Sequence, residues 1–147
     1  MISKDYMRLA IHEAKKSTQP IRCGCVIVKG DQLLAAAYNS QHDDSDPTAH
    51  AEIKAIREAG KQHGRGSLKN ATVYCTCEPC VMCLAALSIA GISKLFYAVP
   101  LKKVFEKDNI IPISPQTFNR ATPWKFDTIK TIHRNMCFKA LYEESSD

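Results

Sequence analysis

The stretch Glu78-Pro79-Cys80-Val81-Met82-Cys83 marks the start of a predicted helix and brings two cysteines together. Pro79 predicts the first turn of a helix over residues 79–90, because the amide that a proline lacks has no partner at that position. Cys80 and Cys83 are three residues apart, so both sulfur atoms lie on one face of a helical turn. The positive end of the helix dipole favours thiolate over thiol there.

A second motif, His50-Ala51-Glu52, is predicted to lie in the first turns of another helix. Asp46 is suited to cap that helix and Pro47 to occupy its first position, so the helix is predicted over 47–59. Together the two motifs offer three zinc ligands: one imidazole and two thiolates, from His50, Cys80 and Cys83. A catalytic zinc keeps its fourth position open for water, whereas a structural zinc closes it with protein.

Helices and strands alternate along the rest of the chain. A helix capped by Ser3 is predicted over 3–19, and a turn at Gly30-Asp31 between the first two strands. The predicted strands cover 23–28, 33–38, 72–76 and 94–99, and the tail is predicted as an irregular segment over 101–123, a strand within 125–132 and a helix over 133–142. This order predicts an α/β fold, a three-layer α-β-α sandwich with a central mixed sheet of about five strands, in one domain over 1–147.

The composition fits an ordinary globular chain. The 147 residues are 45% hydrophobic and 24% charged, which excludes a disordered or collagen-like protein. No signal peptide is visible, and the longest uncharged apolar run, Val81 to Ile92, is too short to span a bilayer. A cytoplasmic location without membrane contact is therefore expected. In a reducing compartment, the seven cysteines indicate metal or redox ligands before disulfides.

The cysteine spacing leaves a structural alternative open. Cys75, Cys77, Cys80 and Cys83 could close a four-cysteine zinc site, and His50 and Glu52 would then be ordinary helix residues. The joint presence of His-x-Glu and Pro-Cys-x-x-Cys favours the catalytic interpretation, in which the remaining cysteines are small buried apolar residues.

At these two motifs the sequence resembles the cytidine deaminase-like superfamily of zinc deaminases, whose known signature is His-x-Glu followed by Pro-Cys-x-x-Cys. It looks most like the branch that holds bacterial guanine deaminases and tRNA adenosine deaminases. The resemblance is carried by residues 46–53 and 76–84 and extends over roughly the first hundred residues. It implies the cytidine deaminase-like fold, one zinc per chain and a homodimer.

The resemblance also implies roles for individual residues. His50, Cys80 and Cys83 would bind zinc, and Glu52 would be the catalytic acid and base of a hydrolytic deamination. Asn39 lies eleven residues before His50, where the family places an asparagine that hydrogen-bonds the base. Further substrate contacts are expected from Ala51, Trp124 and Asp108.

A purine base or nucleoside is the expected substrate, with guanine favoured. Cys77, Leu84, the strand end Phe96-Tyr97-Ala98 and the segment around Trp124 look more like guanine deaminases. Those enzymes are expected to use a second acid after the last core strand. Glu106 and Asp108 are candidates, but neither matches the family motif.

Three other functions stay open at this point. A tRNA-specific adenosine deaminase would be expected to carry a basic C-terminal helix and a glycine in the loop after the last core strand. Neither is visible, and the chain ends in acids at 143–147, so nucleic acid is not the expected partner. A cytosine or cytidine deaminase, and a non-catalytic zinc-binding interaction domain, are the remaining alternatives.

Overall fold

The structure is a computed structural model that describes residues 2–143. Those residues form five α-helices and five strands. The helices are α1 (Ser3–Ala14), α2 (Ala51–His63), α3 (Val81–Ala90), α4 (Pro115–Ala121) and α5 (Arg134–Leu141), and the strands are β1 (Gly24–Lys29), β2 (Gln32–Tyr38), β3 (Thr72–Cys77), β4 (Lys94–Val99) and β5 (Thr128–Thr131). Most of the acidic C-terminal end, residues 144–147, lies outside the described residues. The single domain over 1–147 stays a prediction.

The five strands build one mixed sheet in the order β2-β1-β3-β4-β5. β1 is antiparallel to both of its neighbours, whereas β3, β4 and β5 are parallel to one another. The tight turn between β1 and β2 falls at Gly30-Asp31, as predicted, and Gly30 has a φ of +59°, which glycine adopts without strain. Parallel neighbours require crossover connections, and these contain α3 and α4.

Both faces of the sheet are buried, and β1 shows how. Cys25 and Ile27 lie in the core that α2 and α3 cover, while Val26 and Val28 lie in the core that α1 and α5 cover. Successive side chains of a strand point to opposite faces, so one continuous apolar strand serves two cores. The predicted three-layer α-β-α sandwich with a five-stranded mixed sheet is confirmed.

The predicted start of α2 is wrong. The helix begins at Ala51, with His50 as its N-cap, and not at Pro47. Asp46 caps no helix, because its Oδ1 accepts hydrogen bonds from the amide and hydroxyl of Thr48 and closes a turn before the helix. At the other end the helix runs through Gly60 to His63.

Two other helix boundaries also differ from prediction. α1 ends at Ala14 and not at residue 19, and its N-cap is Ile2 and not Ser3. The Ser17 hydroxyl, which the longer helix would include, is buried and donates a hydrogen bond to the carbonyl of Asn39. α3 begins at Val81, two residues later than Pro79 predicts.

The C-terminal third contains a helix that its prolines did not lead us to predict. α4 forms inside the segment predicted to be irregular, with the Ser114 hydroxyl accepting a hydrogen bond from the Thr117 amide at its start. β5 and α5 form where a strand and a helix were predicted, but both are shorter. None of the helices formed by residues 2–143 combines the length and the apolar character that crossing a bilayer requires.

Two glycines give a matched test of the packing of α1 on the sheet. A Cβ on Gly24 would stand 1.9 Å from the backbone oxygen of Ala10 in α1, where only backbone can yield. Gly24→Ala is therefore expected to lower the free energy of unfolding by about 3 kcal/mol or more. Gly60 lies inside α2, and a Cβ on it would have nothing within 4 Å, so Gly60→Ala is expected to add about 0.5–1 kcal/mol. Urea unfolding of both variants measures this, and equal stabilities would contradict the packing described.

Candidate active site

The site forms where α2 and α3 begin, at the same end of the sheet. His50 is the N-cap of α2 and Cys80 is the N-cap of α3, each with extended backbone angles. The His50 ring makes no hydrogen bond to the amides of its own helix, so its nitrogen atoms are free to face α3. Cys83 follows on the first turn of α3. The two N-termini thus present one imidazole and two sulfur atoms to one another.

The three side chains converge closely. His50 Nδ1 lies 3.6 Å from Cys80 Sγ and 3.6 Å from Cys83 Sγ. The possible ligand atoms of these three residues all lie within 4.8 Å of one another, and no other such group of histidine, cysteine and acidic residues forms among residues 2–143. Cys83 is buried, whereas His50 and Cys80 are half-buried and face a cavity.

The environment favours a thiolate at Cys80. Hydrogen bonds from the Cys83 thiol and from the His50 ring lower the pKa of Cys80 to about 4, against the opposing effect of burial. The hydrogen bond with Cys80, together with burial, raises the pKa of Cys83. The hydrogen bond with Cys80 also raises the pKa of His50. Hydrogen bonds therefore join one anionic sulfur, one thiol and one imidazole. A divalent cation bound to all three groups would take the place of the protons in these hydrogen bonds.

Glu52 is the second residue of α2 and lies beside this cluster. Its residue surface is only 5% exposed, and burial raises the pKa of its carboxyl group. Glu52 also lines the cavity that His50 and Cys80 face. A buried carboxyl group that is easy to protonate and close to a metal site is suited to hold and release a proton.

The donor set fits zinc. One imidazole nitrogen and two thiolate sulfurs are ligands that zinc prefers, and three protein ligands leave one tetrahedral position for water or substrate. The four-cysteine alternative is wrong for this structure, because Cys75 is fully buried opposite Cys25 on β1 and Cys77 does not approach the other sulfur atoms closely enough to join the group.

A cavity of about 330 Å³ opens next to the cluster. Its walls combine the metal-site residues with apolar side chains from two other parts of the chain. The further lining residues are Cys23, Asn39, Gln41, Pro47, Ala51, Cys77, Glu78, Met82, Leu101, Phe105, Asn109, Ile110 and Ile111. The volume suits a small aromatic ring system held between apolar walls.

Of the four predicted substrate contacts, the structure brings Asn39 and Ala51 to the cavity. Asn39 is buried and anchored to backbone: Oδ1 accepts from the Cys23 amide at 2.8 Å, and Nδ2 donates to the Ile21 carbonyl at 2.8 Å. An amide anchored in this way still has one hydrogen and one lone pair to offer.

Trp124 and Asp108 are not among the residues that line the cavity. Trp124 is 56% exposed, and its backbone carbonyl accepts a hydrogen bond from the Ser88 hydroxyl on α3. Asp108 lies exposed in a 3₁₀ turn at Lys107–Asn109, and its neighbour Asn109 lines the cavity instead.

Sequence reasoning missed the segment that closes the cavity. Residues 101–111, after β4, supply five of the lining residues, although neither helical nor strand periodicity marks them. It also missed Gln41, whose side-chain Oε1 is buried with no hydrogen-bond partner among the described residues. A buried acceptor without a partner in a cavity wall is the signal that would have identified Gln41, and it exists only in three dimensions.

Comparison with known proteins also indicates a zinc-binding site in this part of the chain. The sequence model described as the cytidine and deoxycytidylate deaminase zinc-binding region matches residues 2–99. The chain therefore belongs to the cytidine and deoxycytidylate deaminase family, and it is a zinc-dependent deaminase. The predicted resemblance, the fold and the zinc cofactor are all confirmed.

Three relatives indicate the breadth of this similarity. A tRNA-specific adenosine deaminase of Aquifex aeolicus is 34% identical over 131 residues, covering 85% of this chain and 85% of its own. A structure from a study of A-to-I editing by tRNA:A34 deaminases at the wobble position superposes with a TM-score of 0.77 at 29% identity, covering 94% of this chain and 99% of that one. A guanine deaminase of Bacillus subtilis superposes with a TM-score of 0.64 at 36% identity, covering 69% and 67%.

Cysteine substitutions test the proposed ligand set. Cys80→Ser and Cys83→Ser should each reduce bound zinc well below one per chain, because each removes one of three protein ligands. Cys75→Ala and Cys77→Ala are the matched controls, and both should keep about one zinc per chain. Metal content of the purified proteins, by plasma emission spectrometry, measures this. Loss of zinc in either control variant would contradict the three-ligand set and support the four-cysteine site.

Proposed function

We propose that this chain hydrolyses adenosine to inosine in tRNA, releasing ammonia. The observation that carries the proposal is the similarity to the structure from the study of tRNA:A34 deaminases, which covers 94% of this chain. At that coverage the similarity extends past residue 99 into the C-terminal third, which contains the segment that closes the cavity. The Aquifex aeolicus relative, named as a tRNA-specific adenosine deaminase, supports the same substrate over 85% of the chain.

This proposal replaces guanine as the favoured substrate and reverses the expectation that nucleic acid is not a partner. The sequence lacks the glycine expected after β4 and ends in acids at 143–147, and both features argued against a tRNA substrate. The similarity to the tRNA:A34 deaminase structure is stronger support, because it covers 94% of this chain and 99% of that one. Guanine deamination stays the second candidate, because the Bacillus subtilis guanine deaminase is 36% identical over the two thirds of the chain that align. The homodimer and the cytoplasmic location also stay predictions.

The chain supplies most of the chemistry through four residues. His50, Cys80 and Cys83 would hold zinc, which when bound makes a water molecule acidic enough to be deprotonated near neutral pH. Glu52 would accept a proton from the attacking water and pass it to the ring nitrogen. It would then move the remaining proton of the newly added hydroxyl group to the departing amine, which leaves as ammonia. Its burial suits this exchange, because a raised pKa makes the carboxylate a stronger base, which takes up a proton more readily near neutral pH and can still pass it on.

The cavity walls would hold the base in place. Asn39 is held rigidly by two backbone hydrogen bonds, so its remaining hydrogen and lone pair have a fixed direction. Gln41 Oε1, which has no hydrogen-bond partner among the described residues, would accept a hydrogen bond from the bound nucleoside. The amide of Ala51, at the first position of α2, has no intrahelical partner and would face negative charge developing on the substrate.

Glu52→Gln tests the proton-transfer role. The amide keeps the shape of the carboxyl group but cannot exchange protons, so kcat should fall at least about a hundredfold while zinc stays at about one per chain. Glu106→Gln is the matched control, since Glu106 is an exposed acid near the cavity that does not line it. Full activity of Glu52→Gln would contradict the mechanism.

A substrate panel tests the proposed reaction itself. Ammonia release should be measured with guanine, guanosine, adenosine, cytosine, cytidine and a tRNA anticodon stem-loop carrying adenosine at the wobble position. The expected result is inosine in the stem-loop, detected by nuclease digestion and mass spectrometry, with slower release from every small molecule. Turnover of guanine without turnover of RNA would establish the second candidate. Zinc binding with no turnover of any substrate would favour a non-catalytic interaction domain.

A further inference from the structure

Two pairs of cysteines lie next to each other on one face of the sheet. The antiparallel register of β1 and β3 places Cys25 opposite Cys75, which we call the buried pair. Continued by two residues, the same register places Cys23, just before β1, opposite Cys77, the last residue of β3. We call Cys23 and Cys77 the cavity pair. All four side chains share a face, because alternate residues of a strand point the same way.

A hydrogen bond joins the two side chains of each pair. The hydrogen bond with Cys23, together with burial, raises the pKa of Cys77. Burial, together with the hydrogen bond with Cys25, raises the pKa of Cys75. Facing residues of an antiparallel pair have Cβ atoms about 4.5–5.5 Å apart, and a disulfide needs about 3.8 Å, so a shift of about 1 Å would link either pair.

The two pairs differ in their access to solvent. Cys23 is half-buried, and both members of the cavity pair line the catalytic cavity. Cys25 and Cys75 are fully buried, and neither of them lines the cavity. A small oxidant that enters the cavity therefore reaches the cavity pair and not the buried pair. The oxidation of cysteine depends on such exposure.

The cavity pair is also connected to groups of the candidate active site. The amide of Cys23 donates a hydrogen bond to Asn39 Oδ1 at 2.8 Å, one of the two hydrogen bonds that anchor this side chain. Cys77 ends β3, and the proposed zinc ligand Cys80 follows three residues later. A disulfide that draws Cys23 and Cys77 together would therefore move the anchor of Asn39 and the strand end that leads to Cys80.

We propose that Cys23 and Cys77 form an oxidation site, at which a hydroperoxide links the two residues in a reversible disulfide and thereby lowers the deaminase activity. The inference goes beyond the proposed function, because the site would act on the enzyme whichever base is the substrate. Disulfides that form inside a reducing compartment are characteristically transient and regulatory.

With hydrogen peroxide the reaction has two steps. The sulfur of Cys23, the more exposed of the two, attacks one peroxide oxygen and the O–O bond breaks, which gives a sulfenic acid and a water molecule that takes up the thiol proton. The sulfur of Cys77 then attacks the sulfenic sulfur, the S–S bond forms, and the hydroxyl group leaves with the Cys77 proton as a second water molecule. The two thiols are oxidised by two electrons, and the peroxide is reduced to water. A dithiol reductant reverses the link by thiol–disulfide exchange.

The test treats the zinc-loaded protein with hydrogen peroxide at a dose that leaves about one zinc per chain. Cys23→Ala removes one sulfur atom of the cavity pair. Cys25→Ala is the matched control, because it removes the same group two residues further along the same face, from the buried pair. Each protein is compared with its own untreated sample, so a change in basal activity caused by the substitution does not enter the result.

Mass spectrometry of tryptic peptides, after free thiols are blocked, locates the bond. Cys23 lies in peptide 23–29 and Cys77 in peptide 70–94. These two peptides should be linked in treated wild type and in treated Cys25→Ala, but not in treated Cys23→Ala. Cys77→Ala should also lack the link, which assigns the partner among the cysteines of peptide 70–94.

Activity is measured on the substrate of the panel that wild type turns over. Treatment should lower kcat about tenfold or more in wild type and in Cys25→Ala, because small displacements of positioning groups are costly to catalysis. Dithiothreitol should restore the activity of both proteins. Treated Cys23→Ala should keep most of its untreated activity.

Absence of the linked peptides from treated wild type would overturn the oxidation site, and so would their presence in treated Cys23→Ala. An equal loss of activity in treated wild type and treated Cys23→Ala would contradict its effect on the enzyme. The comparison of these two proteins decides the matter alone if Cys25→Ala does not fold. If wild type turned over no substrate of the panel, the proposed function would be wrong, whereas the linked peptides would still decide whether the oxidation site exists.

Discussion

The site depends on two helix N-termini that meet at one end of the sheet. The positive ends of α2 and α3 face each other there, and two like dipole ends are unfavourable together unless negative charge lies between them. The Cys80 thiolate and the Glu52 carboxyl group lie at this junction. Two facing helix N-termini would destabilise an uncharged junction, but they stabilise the Cys80 thiolate, one of the anionic ligands that a zinc ion needs.

The sheet explains why the two N-termini can meet. β3 leads directly into the turn before α3, and its parallel pairing with β4 brings the chain after β4 to the same edge. The segment over 101–111 then passes across the opening and closes the cavity with apolar side chains. The start of α2 thus supplies His50 and Glu52, the start of α3 supplies the two cysteines, and the segment over 101–111 closes the cavity at the same edge of the sheet.

The strands and the metal site could be predicted from the sequence, but the starts of α2 and α3 and the segment that closes the cavity could not. β1 and β3 are apolar runs bounded by turn residues, so their existence follows from pattern alone. Pro47 and Pro79 misled the prediction of the helix starts, because each lies before its helix, and His50 and Cys80 take the N-cap positions. Phe105 and Gln41 could not be found, since their roles depend on contacts between distant segments.

X-ray absorption spectroscopy at the zinc edge tests the central claim, that His50, Cys80 and Cys83 hold one zinc with an open fourth position. The account predicts two sulfur neighbours at about 2.3 Å and two nitrogen or oxygen neighbours at about 2.0–2.1 Å, one from the imidazole and one from water. A first shell of four sulfur atoms, or of three sulfur atoms and one nitrogen, would contradict it.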